Sequence, residues 1–489
     1  MSNTDFGAKP NLVYGTKPYQ YQKEIVERTW DKPYWAFFME MGTGKSKVVI
    51  DTVVNLYLSG KIDTVLYVAK KGELSNFQIY ELPKHKPVDM KVLAYIYQGY
   101  IKKDHVNKIK TMLSPRDQLR IFSMNIESLR SGKGFEIAKA YVKSSKKVMI
   151  IVDESTTLKD RGSSQHKSMM VLRRYARYVR IMTGTLIPHN PVDVFCQSLF
   201  LNRKALGYGG VTAFRSDFCE IEKRFSHQRS YNVMVGSKNL DMLQEKMKRI
   251  GTVLLKKDCL DLPKKIYKNN AVDLTDAQKR HYQEIVDYAV TQVDGEYVEC
   301  VNALSVMLRL HQVVVGQIRL PDGSYSLIES KRPAQLVETI KDLNTNKVVV
   351  WCNYVAARQN INDILKEHFG VVHLESGLSV DDRAERIEQF KTDPNIQVFL
   401  GNPASSGFGL TLTEASNMIY YSNSDNYEHR LQSEDRIHRI GQNQNCLYID
   451  FRTPGTVEDA ILNRTKMKAI QRSQVMKTDE YLKLIMLGS

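Results

Sequence analysis

Apolar residues in this chain gather into short, unbroken runs. YWAFFM (34–39), TVLYVA (64–69), VMIIVDE (148–154) and VRIMTG (179–184) lie in the first half. KVVVWCN (347–353), IQVFLGN (396–402), NMIYYSN (417–423) and CLYIDFR (446–452) lie in the last third. Runs this short, without polar alternation, predict strands buried on both faces, as in a parallel sheet. Helical patterns separate them. Strand, loop, helix, strand is the sequence form of a doubly wound α/β domain. It occurs twice, so the expected fold is α/β, with two doubly wound parallel-sheet lobes and helical insertions between them.

Residues 190–345 have a different texture, richer in helical patterns such as NLDMLQEKMKRIG (239–251) and DAQKRHYQEIVDYAV (276–290). Thr275 or Asp276 suits the N-cap of the latter. Pro321, Asp322 and Gly323 signal a turn. From about residue 457 the chain reads as a basic helix, VEDAILNRTKMKAIQRSQVMK.

A chain of 489 residues exceeds a single core, so two to four domains are expected. No apolar stretch approaches a membrane span, and MSNTDFGAKPNLVYG lacks the basic-then-apolar pattern of a secretion signal. The six cysteines are scattered without a CxxC pair, which suits a reducing cytosol and argues against a zinc or redox motif. Charge changes the picture more: 70 Lys+Arg against 54 Asp+Glu give a net +16. Solubility is one explanation of that excess; a polyanionic partner, most simply nucleic acid, is the sharper one.

MEMGTGKSK (39–47) follows the first strand and opens a helix, the setting a phosphate loop needs. Gly42, Thr43 and Gly44 would turn tightly and present N–H groups. The helix N-terminus adds positive potential. Lys45 would reach the terminal phosphates of ATP, and Ser46 would ligate Mg2+. The full loop pattern asks for glycine where this chain has Met39. Roughly 110 residues further on, VMIIVDEST ends a buried strand in two carboxylates. Asp153 would hold Mg2+ through water, and Glu154 would orient or deprotonate the attacking water.

QSEDRIHRIGQNQ (432–444) supplies the third element. Helical spacing would put Gln432, Arg436 and Arg439 on one face. Two guanidiniums and an amide aimed together suit the exposed phosphates of a nucleotide held by the other lobe. Surface ion pairs with Glu434 or Asp435 are the plainer alternative.

These motifs, in this order, resemble the Snf2-type (Swi2/Snf2) ATPases of helicase superfamily 2. KPYQYQ (17–22) resembles the family's adenine-reading "RPYQ", which places Gln20 on the base. EMGTGKS (40–46) resembles motif I, VAKKGELSNF (68–77) motif Ia, DESTTLKD (153–160) "DEAHRIKN" and TGTLIPHN (183–190) motif III. KVVVWCNY (347–354), LGNPASSGFGLTLTEAS (400–416) and QSEDRIHRIGQ (432–442) resemble motifs IV, V and VI. Thr156 stands where the family has the DEAH histidine, and Lys70 where motif Ia has proline.

The resemblance implies RecA-like lobes and divides the chain into four parts. Residues 1–263 form lobe 1, with a helical insertion near its end, and 264–345 a helical insertion leading into lobe 2. Residues 346–460 form lobe 2 and 461–489 a basic C-terminal helix. It also implies an ATP-dependent translocase, acting as a monomer on double-stranded or branched DNA without sequence preference. Lys70, Lys71, Thr183, Ser405 and Thr411 are the implied nucleic-acid contacts. The arginines at 173, 174, 177 and 180, and the segment 464–472, are basic stretches better read as solvated helix faces. Two alternatives stay open. One is a strand-separating or branch-migrating helicase, on DNA or RNA. The other is a nucleotide-gated binding protein for a polymerase or replication partner. The compact size suits the cytoplasm of a bacterium or a bacterial virus.

Overall fold

The structure is a computed structural model and describes residues 11–99, 103–114, 117–130, 132–158, 160–184, 191–226, 229–300, 302–375, 377–378, 380–404 and 410–476. The chain divides into two compact units, the change falling between Asp261 and Leu262.

Unit 1 opens with strands β1 (Tyr34–Met39), β2 (Thr64–Ala69), β3 (Val92–Ile96), β4 (Leu119–Asn125), β5 (Val148–Val152) and β6 (Tyr178–Thr183). A two-stranded antiparallel hairpin follows, β7 (Cys219–Ser226) with β8 (Arg229–Ser237), and then β9 (Gly251–Leu254). Its main sheet has the order β3-β4-β2-β5-β6-β1-β9 and is parallel throughout. Both faces are covered. Ala36 and Phe38 of β1 enter one apolar cluster, while Trp35, Phe37 and Met39 enter the other. That double burial is why these strands read as continuous apolar runs.

Unit 2 begins with β10 (Lys265–Ala271) and two antiparallel hairpins, β11 (Val290–Val293) with β12 (Glu296–Glu299) and β13 (Gln317–Arg319) with β14 (Tyr325–Leu327). It continues with β15 (Val348–Trp351), β16 (Gly370–His373), β17 (Ile396–Gly401), β18 (Asn417–Tyr420) and β19 (Cys446–Arg452). Its parallel sheet runs β10-β19-β18-β15-β17-β16, again with an apolar cluster on each face. Two doubly wound parallel sheets are therefore present, as the apolar runs predict.

The middle of the chain is less helical than its pattern suggests. Helices Pro191–Leu201 and Val211–Phe218 are followed by the β7–β8 hairpin before helix Leu240–Ile250. The stretch 264–345 is not helical from its start, because β10 pairs with β19 along its whole length. Thr275 caps helix Asp276–Tyr288: its hydroxyl accepts from the Gln278 N–H, and the Gln278 side chain returns to the Thr275 N–H. Pro321–Gly323 turns the β13–β14 hairpin.

Of the basic stretch 173–180, Arg174 and Arg177 are exposed, but Arg173 is only partly exposed and Arg180 is buried. Arg180 lies on β6 with no exposed surface and donates to the carbonyls of Val179, Thr29 and Trp30. Burial pulls its guanidinium down to about 9. Arg173 donates to Phe200, Leu201 and Ala176 carbonyls. These two arginines donate to carbonyls at the C-terminal ends of helices Gln20–Thr29 and Pro191–Leu201. Among the described residues no helix is long and apolar enough to cross a membrane.

Candidate functional site

In open parallel sheets, ligands bind beyond the carboxyl ends of the strands. The candidate residues of unit 1 lie there. The loop after β1 turns through Gly42 (φ 77) and Gly44 (φ 76), both in the left-handed region. Thr43 is buried, and its hydroxyl donates to the Glu40 carbonyl at 2.7 Å. Lys45 and Ser46 open helix Lys45–Leu58. The Lys45 ammonium rests on the loop's own carbonyls, Met39 O at 3.0 Å and Glu40 O at 3.3 Å. A bound phosphate would offer that ammonium a charged acceptor in their place.

After β5, Asp153 and Glu154 are 9% and 7% exposed. The Tyr67 hydroxyl, from neighbouring β2, donates to Asp153 Oδ2 at 2.6 Å; the Glu154 N–H donates to Oδ1 at 2.9 Å. Burial pushes the Asp153 carboxyl above its ordinary range, opposed by the Tyr67 hydrogen bond and the charges of Lys45 and Lys70. Glu154 has φ 45, which is uncommon for a residue with a side chain. Its Oε2 accepts from the Thr183 hydroxyl at the end of β6, at 3.5 Å. Next in line is Gly184, where a Cβ would stand 2.3 Å from Met41 Cγ and 3.2 Å from Lys45 Nζ. Glycine at 184 is thus what lets the end of β6 close against the loop.

Sequence reasoning reached Lys45, Asp153, Glu154 and Thr183 but not Tyr67. Thr183, expected on nucleic acid, is 1% exposed with its hydroxyl on Glu154. Lys70 acts electrostatically on Asp153, while Lys71 is exposed at the start of helix Lys71–Ser75. Thr156 is buried in the turn Ser155–Leu158, and Ser155 beside it donates to Gln197 at 2.6 Å.

The two glutamines of KPYQYQ are placed differently. Gln20 is exposed and its amide donates to Glu24 at 2.7 Å. Gln22 is 2% exposed, accepts from the Tyr19 N–H and donates to Thr43 O of the phosphate loop at 3.4 Å. Tyr21 donates to the same carbonyl at 3.0 Å. Helical spacing explains the difference: Gln22, Ile25, Val26 and Thr29 form the buried stripe of helix Gln20–Thr29, and Gln20 falls outside it.

In unit 2, helix Tyr427–Glu434 carries Gln432, which is buried. The helix does not continue to Arg439. Residues 435–440 form turns and bends, in which the Arg436 N–H donates to Ser433 O at 3.1 Å and the Ile437 N–H to Glu434 O at 3.3 Å. The Tyr448 hydroxyl donates to Glu434 O at 3.2 Å, and the Leu412 N–H to Arg436 O at 2.9 Å. Arg436 and Arg439 nonetheless converge: both donate to Leu410 O at 3.3 Å. Thr411 adjoins that carbonyl and is partly exposed; Ser405 lies outside the described residues.

An ion network stands behind the arginines. Glu434 accepts from Lys265 at 2.9 Å, Tyr267 at 2.8 Å and Arg430 at 2.7 Å. Arg430 in turn pairs with Asp450 and lies 3.6 Å from the Tyr420 ring centre. Burial by itself would raise Glu434; Lys265 and Arg430 overrule it and hold the carboxyl at about 2.

A hydroxyl and a carboxylate, Ser46 and Asp153, are hard oxygen donors of the kind Mg2+ takes. Among the described residues no cluster of three His, Cys, Asp or Glu side chains could hold a metal.

A phosphate loop with a buried Asp–Glu pair, and a second parallel-sheet unit with converging arginines, define a two-unit P-loop protein. The family model "SNF2-related domain" matches residues 36–316, and "Helicase conserved C-terminal domain" matches residues 331–441. The first covers more than half of the sequence, and the chain belongs to the SNF2-related family. The CHD3-type chromatin-remodeling factor PICKLE of Arabidopsis thaliana is 24% identical over 506 residues, covering 95% of this chain and 34% of that protein. Human DNA annealing helicase and endonuclease ZRANB3 is 23% identical over 298 residues, 60% of this chain and 26% of that protein. Helicase SWR1 of Kluyveromyces lactis is 26% identical over 219 residues, 44% of this chain and 13% of that protein. The chain thus spans about a third or less of these relatives' lengths. The Sulfolobus solfataricus SWI2/SNF2 ATPase core in complex with dsDNA covers 98% of this chain and 99% of its own at 18% identity, with a TM-score of 0.42.

Proposed function

We propose that this protein is a nucleic-acid-dependent ATPase that uses ATP hydrolysis to move along double-stranded DNA. The observation that carries the reading is the cluster at the strand ends of unit 1. Lys45, Asp153, Glu154 and Thr183 meet beside Gly184, within a chain whose family membership extends through unit 2.

Each residue has work suited to its chemistry. Lys45 exchanges its carbonyl partners for the terminal phosphates. Mg2+, when bound through Ser46 and Asp153, neutralises phosphate charge. Tyr67 holds Asp153 in one orientation. Glu154 orients the attacking water and passes its state to Thr183. Gln22, braced on the loop, is better placed than Gln20 to sense the base. Arg436 and Arg439, presented together at Leu410, stabilise the charge that develops on the phosphoryl oxygens. Lys71 and Thr411 are the described candidates for backbone phosphate contacts, which are sequence-independent and salt-sensitive. The named relatives include a chromatin-remodelling factor, a DNA annealing helicase and a helicase, names that suit a motor on DNA.

Steady-state ATP hydrolysis with duplex DNA, single strands, four-way junctions and RNA tests this. Duplex DNA is expected to stimulate most. Equal rates with and without any nucleic acid contradict the motor reading and favour a nucleotide-gated binding protein; preference for junctions with strand separation favours the branch-migrating alternative.

A further inference from the structure

We propose that the segment crossing from unit 1 to unit 2 is a short tether between the two nucleotide motifs, with Glu40, Glu434 and His438 as the positioning residues that anchor it. This rests on the ATPase reading above.

The front end is fastened to the phosphate loop. Glu40 donates its N–H to Leu254 O at 2.9 Å, and its Oε2 accepts from the Lys256 N–H at 2.9 Å. The Glu40 carbonyl also receives Lys45 and Thr43. One residue thus joins the end of β9 to the catalytic ammonium.

The rear end is fastened to the arginine segment at points flanking Arg436. His438 Nε2 donates to Pro263 O at 2.8 Å. Lys265, the first residue of β10, reaches Glu434 at 2.9 Å, and Tyr267 reaches the same oxygen at 2.8 Å. The Lys264 N–H donates to Asn445 Oδ1 at 3.0 Å, and the Lys264 carbonyl accepts from the Cys446 N–H at 2.9 Å.

Little slack lies between. Cys259 and Leu260 donate back to Lys256 O, at 3.1 and 2.7 Å, in a compact turn. Asp261 and Leu262 then lead to Pro263, which biases Leu262 toward an extended backbone. Three residue steps from Leu260 to Pro263 span at most about 11 Å. Displacement of one unit against the other beyond that reach loads the Glu40–Lys256 bond or the Glu434 and His438 bonds. A change at either nucleotide motif is then felt at the other through the chain itself.

Two changes test this in the full-length protein. The first inserts Gly-Ser-Gly-Ser between Asp261 and Leu262, adding slack without touching an anchor. The second is Lys265→Met, with Lys265→Arg as the conservative rescue. The readouts are ATP turnover with and without duplex DNA, affinity for a fluorescent nucleotide analogue, and thermal unfolding. The insertion is expected to lower DNA-stimulated turnover at least about tenfold, with unstimulated turnover, nucleotide affinity and Tm within about twofold or a few degrees of wild type. Lys265→Met is expected to lower kcat without raising KM for ATP, and Lys265→Arg to recover it. An insertion variant stimulated like wild type overturns the tether, as does one that loses nucleotide affinity in step with turnover. A wild-type protein that DNA does not stimulate removes the underlying ATPase reading instead, so the two failures are told apart.

Discussion

In unit 1 the charged groups rest on the main chain and on single hydroxyls. Lys45 sits on two carbonyls, Asp153 on one phenol and one N–H, and Glu154 on Thr183. In unit 2 the arginines share one carbonyl but stand in front of a buried lattice of Lys265, Glu434, Arg430 and Asp450. The difference separates two jobs. Neutral partners are exchanged more readily than charged ones, which on the proposed function suits unit 1 to trade contacts for phosphate and Mg2+. A buried ion network is costly to break, about 3–5 kcal/mol when one partner is removed, so unit 2 is built to present its arginines rigidly.

The comparison can be broken most directly in unit 1. Lys45→Ala or Glu154→Gln is expected to lower ATP turnover at least about a hundredfold, the scale of losing a principal phosphate or water-orienting group. Normal turnover in either variant removes the site. Arg439→Ala is expected to keep nucleotide affinity and lose turnover by at least about tenfold, measured by analogue binding beside hydrolysis.

Acid sharpens the contrast, because the buried carboxyls of the two units are shifted in opposite directions. Glu434 and Glu458 are held at about 2, against an ordinary 4.5: burial would raise both, but Lys265 and Arg430 overrule it at Glu434, and Arg332 and His311 at Glu458. Their stabilisation is complete above about 4.5 and is lost as pH falls toward 2, on the order of 3 kcal/mol each. Asp51 in unit 1 is raised by burial, against the pull of Lys47. A raised carboxyl favours the folded state below its unfolded value of 3.8, and that contribution is lost as pH rises. Unit 2 is therefore expected to unfold before unit 1 between about pH 4.5 and 2. Hydrogen exchange resolved by segment checks this, and simultaneous loss of both units runs against it.

Smaller effects come from the positioning groups. Tyr67→Phe is expected to raise the Mg2+ needed for half-maximal nucleotide binding by about threefold to tenfold, with little change in fold. Gln22→Ala is expected to weaken ATP binding by a few-fold and Gln20→Ala hardly at all; the reverse order restores Gln20 as the base reader.

Much of the architecture was legible because strands buried on both faces must be apolar throughout. β1, β2 and β19 match their runs at both ends. The strands that escaped notice break that rule for identifiable reasons. β4 contains Arg120, buried at 2%, whose two terminal nitrogens donate to Met112 O, Ser114 O, Ser144 and Thr64. β10, KIYKNNA, pairs with β19 at one edge of its sheet, and none of its residues is fully buried, so it needs no apolar run. At the site, the loop and the Asp–Glu pair announce themselves because their chemistry is local in sequence. Tyr67 and the Lys265–Glu434 contact do not, since each joins residues 86 and 169 positions apart.

The central claim is that both units serve one ATP reaction on duplex DNA. DNA-stimulated ATP turnover of the Arg436→Ala/Arg439→Ala double variant, beside wild type, tests it most directly. The account predicts strong stimulation of wild type and near-complete loss in the variant, with nucleotide still bound. A double variant that hydrolyses ATP at the wild-type rate would contradict it.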